Sequence, residues 1–227
     1  MGRQSISKQG IGIAFPVVVL VFLLALGPSP ASADIIGFDL TVPNTALSGF
    51  PAPYATISVD RADTTHATIT FTGDTTGGFT YFFGTTGAID VNVNATSFTV
   101  ALGAPVGPSP GAATNAGAGN VDGFGTFNLT IDDFDGFNKR WSSESFTLTN
   151  TSGTWGSASA VLAPNSGGST AAAHIFATSS SCTGACVTGF AGNGALVPEP
   201  TSLLLVGTGL VAAGGIARRR LRSWMKA

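Results

Sequence analysis

Apolar and polar residues alternate with a period of two through the middle of this 227-residue chain. Residues 67–71 read Ala-Thr-Ile-Thr-Phe, and residues 89–93 read Ile-Asp-Val-Asn-Val. The same alternation occurs at residues 79–83, 98–100, 127–131, 146–148 and 158–162. Because successive side chains of a strand point to opposite faces, these segments are predicted to be half-buried β-strands.

Clusters of Gly, Asn, Asp and Ser separate these runs, and residues 34–193 have no convincing helical periodicity. This pattern predicts an all-β ectodomain, an antiparallel β-sandwich of jelly-roll type with Phe, Ile, Val and Trp on its inner faces. A span of about 160 residues is long enough for a sizeable core. Residues 103–120 lack apolar alternation and are expected to form a long surface loop or a locally disordered insert, and residues 188–195 a linker.

The N-terminus has the pattern of a secretory signal peptide, predicted at residues 1–33. Arg3 and Lys8 precede an apolar stretch at residues 11–26, and the small residues 31–33 form a cleavage site before Asp34. An uncleaved anchor is the alternative, which the apolar stretch and Pro16 leave open. The helix-breaking residues 27–30 favour cleavage, so the mature chain is expected to begin at Asp34.

The region between the two ends is acidic. Residues 34–197 contain eleven Asp and Glu but only three Lys and Arg, a net charge of −8, although the whole chain carries −2. Nucleic-acid binding depends on Lys and Arg contacts with phosphates, so no nucleic-acid partner is expected.

An apolar run and a basic tail close the sequence. Residues 201–217 would extend about 26 Å as a helix, close to the lower limit for a hydrocarbon core of roughly 30 Å. The basic residues after this run favour a cytoplasmic C-terminus, which leaves the acidic region outside. We therefore predict a transmembrane helix at residues 201–217 and a cytoplasmic stop in the basic tail 218–227, formed by Arg218, Arg219, Arg220 and Arg222.

A short motif precedes the apolar run. It reads Val197-Pro198-Glu199-Pro200, and it is followed in order by the Gly-containing apolar segment and the arginine cluster. Together, residues 194–227 resemble the PEP-CTERM sorting signal of exported proteins of Gram-negative bacteria. The resemblance implies that an exosortase, a membrane enzyme of organisms that make exopolysaccharide, is a partner and processes the tail. It makes Glu199 and the two prolines part of a substrate rather than of a catalytic site.

The chemistry of this motif agrees with the resemblance. Two prolines around Glu199 keep the backbone extended and accessible beside the membrane, as a processing enzyme requires. In isolation the tripeptide would indicate only a juxtamembrane linker. With the apolar run and the arginines, it predicts a protein that is exported, transiently anchored in the membrane and finally located at the cell surface or outside the cell.

Cys182 and Cys186 are the only cysteines, and the signal peptide places them in an oxidising compartment. A disulfide that closes a small loop is the favoured interpretation. A catalytic dithiol would need a redox fold, and a zinc site would need further ligands nearby. His174 is the nearest histidine, but it lies in the alternating run 172–176, which favours a core or sheet-surface position.

The best candidate for a chemical site is the acidic segment 132–138. Its carboxylates Asp132, Asp133 and Asp135 surround a turn-forming glycine, and closely spaced oxygen ligands can bind calcium. The spacing departs from an EF-hand loop, so a plain acidic turn before residues 141–146 is favoured and no cofactor is expected. Asp132 or Asp133 with Glu144 could instead serve as a glycosidase pair.

Two classes of function follow. The first is a non-enzymatic surface or extracellular-matrix protein that associates with extracellular polysaccharide, with Trp141, Trp155 and Tyr81 as sugar-stacking groups if they are exposed. The second is a secreted carbohydrate-active enzyme with the same fold. The small number of candidate acids and bases favours the first.

Overall fold

The computed structural model describes residues 33–133 and 136–194, which contain thirteen strands and form a β-sandwich-like all-β fold. The predicted signal peptide, sorting motif and transmembrane helix lie outside the described residues. No helix in the described part of the chain is long and apolar enough to cross a membrane. The strands are β1 (Asp34–Leu40), β2 (Val42–Pro43), β3 (Ala55–Arg61), β4 (His66–Gly73), β5 (Thr75–Thr76), β6 (Phe79–Phe83), β7 (Thr85–Val91), β8 (Phe98–Leu102), β9 (Thr114–Val121), β10 (Gly125–Asp133), β11 (Ser143–Asn150), β12 (Ala171–Thr178) and β13 (Val187–Gly192).

The smaller sheet contains five antiparallel strands in the order β1-β3-β4-β11-β8. Neighbouring strands align their apolar residues, as β3 and β4 do in pairing Ile57 with Phe71, and both side chains are fully buried. Hydroxyl side chains occupy the other face, where Thr70 and Ser145 form a hydrogen bond of 2.8 Å between β4 and β11. The alternation in the sequence thus separates a core face from a polar face.

The larger sheet contains eight antiparallel strands. Six follow the order β2-β13-β12-β7-β10-β9, while β6 pairs with β12 and β5 pairs with β6. One hydrophobic cluster joins the two sheets, with Val59 and Phe146 from the smaller sheet and Ile89 and Ile131 from the larger. Full burial of each such side chain contributes roughly 1.5–3 kcal/mol. The predicted all-β class is therefore confirmed, while the jelly-roll connectivity stays a prediction.

The segment 103–120 differs from the prediction of a loop or disordered insert, because residues 114–121 form the edge strand β9. Its side chains are mostly exposed, so burial imposes no apolar pattern on them. Backbone pairing with β10 defines the strand instead. Gly119 approaches β10 so closely that a Cβ atom there would lie 2.3 Å from the Thr130 hydroxyl oxygen.

Two further segments differ from their predicted structure. The predicted strand at 158–162 contains a 3-10 helix at Ala158–Ala160. Ala158 and the C-cap residue Val161, which are three positions apart, are both buried, as the three-residue turn of such a helix allows. The predicted linker 188–195 contains most of β13, which pairs with β12 and β2. The glycines of this segment favoured a linker over a strand in the sequence analysis. The fold requires glycine at residue 189, where a Cβ atom would lie 2.7 Å from the Asn44 side-chain oxygen.

Strand β1 begins at Asp34, and both carboxylate oxygens of this residue accept hydrogen bonds. Arg61 Nε donates to Oδ1 at 2.6 Å, and the Ala158 amide donates to Oδ2 at 2.8 Å. These bonds lower the pKa of Asp34, with the Ala158 amide as the main cause. The first residue after the predicted cleavage site is thus part of the folded sheet.

Candidate functional site

A row of aromatic side chains crosses the outer face of the larger sheet, the face opposite the shared core. It consists of Phe137, Phe176, His174 and Phe190, here called the aromatic row. The ring centroids of Phe137 and Phe176 are 5.2 Å apart, those of Phe176 and His174 5.4 Å, and those of His174 and Phe190 4.5 Å. All but Phe176 are half-buried, so their rings are partly open to solvent.

The strand pairing builds this row. His174 lies directly opposite Phe190 in the register of β12 and β13, and their rings stack with 20° between the planes. Residues 174 and 176 alternate with Ile175 and Ala177, which face the core. At the Phe137 end, the Arg140 guanidinium lies 4.6 Å from the centre of the Phe137 ring, a cation–π contact.

A pocket of about 250 Å³ lies at the Phe190 end of the row, here called the acidic pocket. Asp90 on β7 and Thr130 and Asp132 on β10 line it together with Phe190 and the exposed strand β9. Asp90 lies directly opposite Thr130, and Asp132 follows two residues later on β10. The two carboxyl groups are brought together by strand register, although they are far apart in the sequence.

Hydrogen bonds fix three of the groups in this pocket. Thr130 Oγ1 donates to Asp90 Oδ1 at 2.6 Å, and the Gly87 amide donates to Asp132 Oδ1 at 2.7 Å. The second oxygen of Asp90 is buried and has no hydrogen-bond partner within the described residues. A buried carboxylate oxygen without a donor is costly, so this atom can gain from a ligand.

Burial raises the pKa of Asp90 to about 7, against the Thr130 hydrogen bond and with a further contribution from the charge of Asp132. Asp90 therefore changes its protonation near neutral pH. Burial lowers the pKa of His174, and a backbone hydrogen bond with Thr86 opposes this shift. The imidazole is accordingly neutral at pH 7 and adds no positive charge beside the pocket.

The backbone of β7 is distorted at the rim of the pocket. Thr85 has a φ of +65° and Gly87 a φ of +67°. A positive φ is costly for a β-branched residue, of order 1–3 kcal/mol, and such strain is concentrated at functional sites. The distortion brings Thr85 Oγ1 into a hydrogen bond with His174 Nδ1, and it aims the Gly87 amide at Asp132.

A second cavity is a weaker candidate. An open groove of about 460 Å³ is lined by Asn92, Asn94, Asn150 and neighbouring small residues. Asn92 and Asn94 use their amide nitrogens in hydrogen bonds to the carbonyls of residues 163 and 160. The residues that line this groove carry no charge and no aromatic ring, so it offers less binding chemistry than the aromatic row and acidic pocket.

The aromatic residues predicted to stack on sugars are not available for this purpose. Trp141, Trp155 and Tyr81 are each at most 1% exposed. Trp155 Nε1 donates to the carbonyl of Asn94 at 2.8 Å, and the Tyr81 hydroxyl donates to the carbonyl of Pro51 at 2.6 Å. These side chains belong to the core, where large aromatic groups bury the most apolar area.

The acidic residues of the predicted site lie on different sheets, with Asp132 and Asp133 in the larger and Glu144 in the smaller. Asp132 and Asp133 end strand β10 and are buried, so they do not form the exposed turn expected from the sequence. Glu144 lies on β11, at a position that shares the core face with Phe146, and does not line the acidic pocket. Asp132 lines that pocket and Glu144 does not, so these two carboxyl groups do not share it, whereas a pair formed by Asp133 and Glu144 stays a prediction.

No metal site is formed by the residues that the structure describes: it contains no group of three or more His, Cys, Asp or Glu arranged to hold an ion. Asp135 lies outside those residues, so a calcium site that includes Asp135 stays a prediction.

Cys182 and Cys186 are joined by a disulfide bond with Cα atoms 5.3 Å apart, which closes the loop before β13. Val197, Pro198, Glu199, Pro200 and the four arginines of the tail also lie outside the described residues.

Sequence reasoning missed the acidic pocket and most of the aromatic row. The alternation at 172–176 placed His174 on a strand, but its partner Phe190 lay in a predicted linker. Asp90 stood out in the sequence only as the polar residue between Ile89 and Val91. Because Asp90 occupies an expected polar position of the alternating run 89–93, the sequence offers no signal that its side chain is buried.

Comparison with known proteins identifies the C-terminal segment. A family model described as the PEP-CTERM protein-sorting motif matches residues 196–221. Neither the curated proteins nor the solved structures contain a match to the chain. The matched residues include the Pro-Glu-Pro tripeptide, the apolar run and the first arginines. The chain therefore carries a PEP-CTERM protein-sorting motif at residues 196–221.

Proposed function

We propose that this protein is an exported, exosortase-processed surface or extracellular-matrix protein that associates with exopolysaccharide and has a non-enzymatic role. The observation that carries the proposal is the sorting motif at residues 196–221, directly after an all-β body. In this proposal the N-terminal signal peptide directs export across the inner membrane, and the apolar run of the tail anchors the protein transiently before processing. The final location is the cell surface or the extracellular space.

The aromatic row supports association with polysaccharide. The C–H face of a pyranose ring can pack on a partly exposed aromatic ring, which removes apolar surface of both partners from water. Phe137, His174 and Phe190 are half-buried along one face of the sheet. Three partly exposed rings along one face suit an extended chain of sugars better than one small ligand.

A secreted carbohydrate-active enzyme is the second candidate. It is favoured by Asp90 and Asp132, two carboxyl groups in one pocket, one of them with a pKa raised to about 7. A raised pKa suits a general acid at neutral pH. Hydrolysis would require these acids to flank a glycosidic bond from opposite sides. Both carboxyl groups are almost fully buried, and each already accepts a hydrogen bond, from Thr130 and from the Gly87 amide, which favours a binding role.

Co-sedimentation with exopolysaccharide tests the proposal. The full chain in a neutral detergent is expected to sediment with polysaccharide from the producing cells and to release no reducing sugar. Phe190→Ala and Phe137→Ala are expected to weaken sedimentation, while Ile35→Ala, an exposed apolar residue of the other sheet, is the matched control. Loss of polymer length during incubation would favour the enzyme, and absence of sedimentation would contradict the association.

A further inference from the structure

We infer that the acidic pocket binds the free ammonium group of an amino sugar, with Asp90 and Asp132 as its anionic partners and Phe190 beneath the sugar ring. This inference rests on the proposed association with polysaccharide and specifies the class of sugar. An ammonium group offers three hydrogen-bond donors and a positive charge, whereas a neutral sugar offers hydroxyl groups alone.

The orphaned oxygen of Asp90 is the main observation. Asp90 is 0% exposed, its Oδ1 already accepts from Thr130, and its Oδ2 has no partner within the described residues. That oxygen borders the pocket beside Gly87, where a Cβ atom would lie 3.1 Å from it. A buried carboxylate oxygen of this kind is stabilised most by a charged donor.

The surroundings provide no internal cation to neutralise the two carboxyl groups. Among the described residues that line the pocket, none is Lys, Arg or His. The packed strands β9 and β13 contain no titratable side chain, and His174 on β12 is held neutral by burial. Protonation of Asp90 or a cationic ligand would therefore balance the charge of this pocket, and a cationic ligand would supply the donor that Asp90 Oδ2 lacks.

The shape of the pocket fits a sugar ring rather than a bare ion. Its volume is about 250 Å³, and the Phe190 ring forms one wall, held in place by stacking on His174. Exposed residues Thr86 and Asn120 lie at the rim, where their polar side chains can contact sugar hydroxyls. Apolar walls with a few convergent polar groups are typical of small-molecule sites.

The negative net charge of the ectodomain also favours a positively charged ligand. Residues 34–197 carry a net charge of −8, which disfavours approach to an acidic polysaccharide. A polymer that contains unacetylated amino sugars is positively charged and is attracted to such a surface. The aromatic row would then contact neighbouring sugars while the acidic pocket selects the residue that carries the amine.

Calorimetric titration of the full chain in neutral detergent at pH 7 tests this inference, with glucosamine as the probe and glucose and N-acetylglucosamine as matched sugars without the charge. Glucosamine is expected to bind about tenfold or more tightly than either, since each charge-assisted hydrogen bond contributes strongly in a buried site. Asp90→Asn, which keeps the shape and removes the charge, is expected to raise the Kd for glucosamine by about tenfold or more.

A glycine pair separates closure of the pocket from loss of folding. Gly87→Ala places a methyl group 3.1 Å from Asp90 Oδ2 and 3.2 Å from the Phe190 ring. Gly78→Ala imposes a similar positive-φ strain, since φ is +85° there, but its methyl group meets no atom within 4 Å. Glucosamine binding is expected to be lost in Gly87→Ala and retained in Gly78→Ala.

Equal affinity for glucose and glucosamine, or an unchanged Kd in Asp90→Asn, would overturn the inference. Sedimentation with the native polysaccharide in the absence of glucosamine binding would overturn the inference and leave the proposed function standing. Glucosamine binding without sedimentation would support the pocket and contradict the association with polysaccharide.

Discussion

Glu144 is an acidic side chain at a core position, and its replacement by Gln should stabilise the fold in a pH-dependent manner. It occupies the buried face of β11 with Phe146 and Leu148 and is 1% exposed. Neither carboxylate oxygen has a partner that meets hydrogen-bond geometry within the described residues. Burial raises the pKa of Glu144 from 4.5 to about 7, opposed by the Ser145 amide.

The sign and size of the effect follow from this shift. Below pH 4.5 the carboxyl group is protonated in both the folded and the unfolded states, so its burial carries no charge penalty. Above pH 7 it is ionised in both states, and the folded state is disfavoured by at most about 3 kcal/mol, since one pKa unit corresponds to 1.36 kcal/mol. Gln has nearly the same shape and carries no charge.

The assay is urea unfolding of the wild type and of Glu144→Gln at pH 4 and pH 8. The gain in unfolding free energy from the substitution is expected to be near zero at pH 4 and about 3 kcal/mol at pH 8. Asp60→Asn removes an exposed carboxylate from β3 and controls for net charge. A gain in Glu144→Gln of equal size at both pH values would refute the burial argument.

Three further substitutions have direct expectations. Gly119→Ala would place a methyl group 2.3 Å from the Thr130 hydroxyl oxygen, so the unfolding free energy should fall by about 1–3 kcal/mol as β9 is displaced. Trp155→Phe removes the hydrogen bond to the carbonyl of Asn94, and we expect a loss of about 1–2 kcal/mol from this bond, measured by urea unfolding. Glu199→Gln should block removal of the tail, measured by immunoblotting of the C-terminal fragment.

Each of these substitutions has a matched control. Gly49→Ala adds a methyl group with no atom within 4 Å and should leave stability unchanged. Trp141→Phe removes a similar buried volume but no hydrogen bond, because Trp141 Nε1 has no partner within the described residues. A larger loss in Trp141→Phe than in Trp155→Phe would contradict the hydrogen-bond argument. Thr201→Ser should leave processing intact, and equal processing of Glu199→Gln would count against the motif.

The period-two alternation predicted the strands that have one face in the core. The strand prediction is correct for residues 67–71 and, within 89–93, for residues 89–91. The apolar residues of both segments are buried against the opposite sheet, which produces the alternation. Strand β9 was missed because its pairing with β10 depends on backbone hydrogen bonds and small residues. Burial of side chains leaves a pattern in the sequence, whereas backbone pairing at an edge does not.

The candidate site was less accessible to sequence reasoning than the fold. Asp90 and Asp132 meet only through the register of β7 and β10, and His174 meets Phe190 only through that of β12 and β13. A sequence indicates which face a residue occupies, but it does not indicate which strands are neighbours. Trp141, Trp155 and Tyr81 were candidates for sugar stacking only if exposed, and exposure likewise depends on which elements pack around a side chain.

Intact mass spectrometry of the protein recovered from the exopolysaccharide fraction tests the central claim most directly. The account predicts a single species that begins at Asp34 and ends before the apolar run at residue 201, because both terminal signals have been removed during export. Recovery of a species that retains residues 201–217, or of the whole protein in the membrane fraction and none with the polysaccharide, would contradict the account.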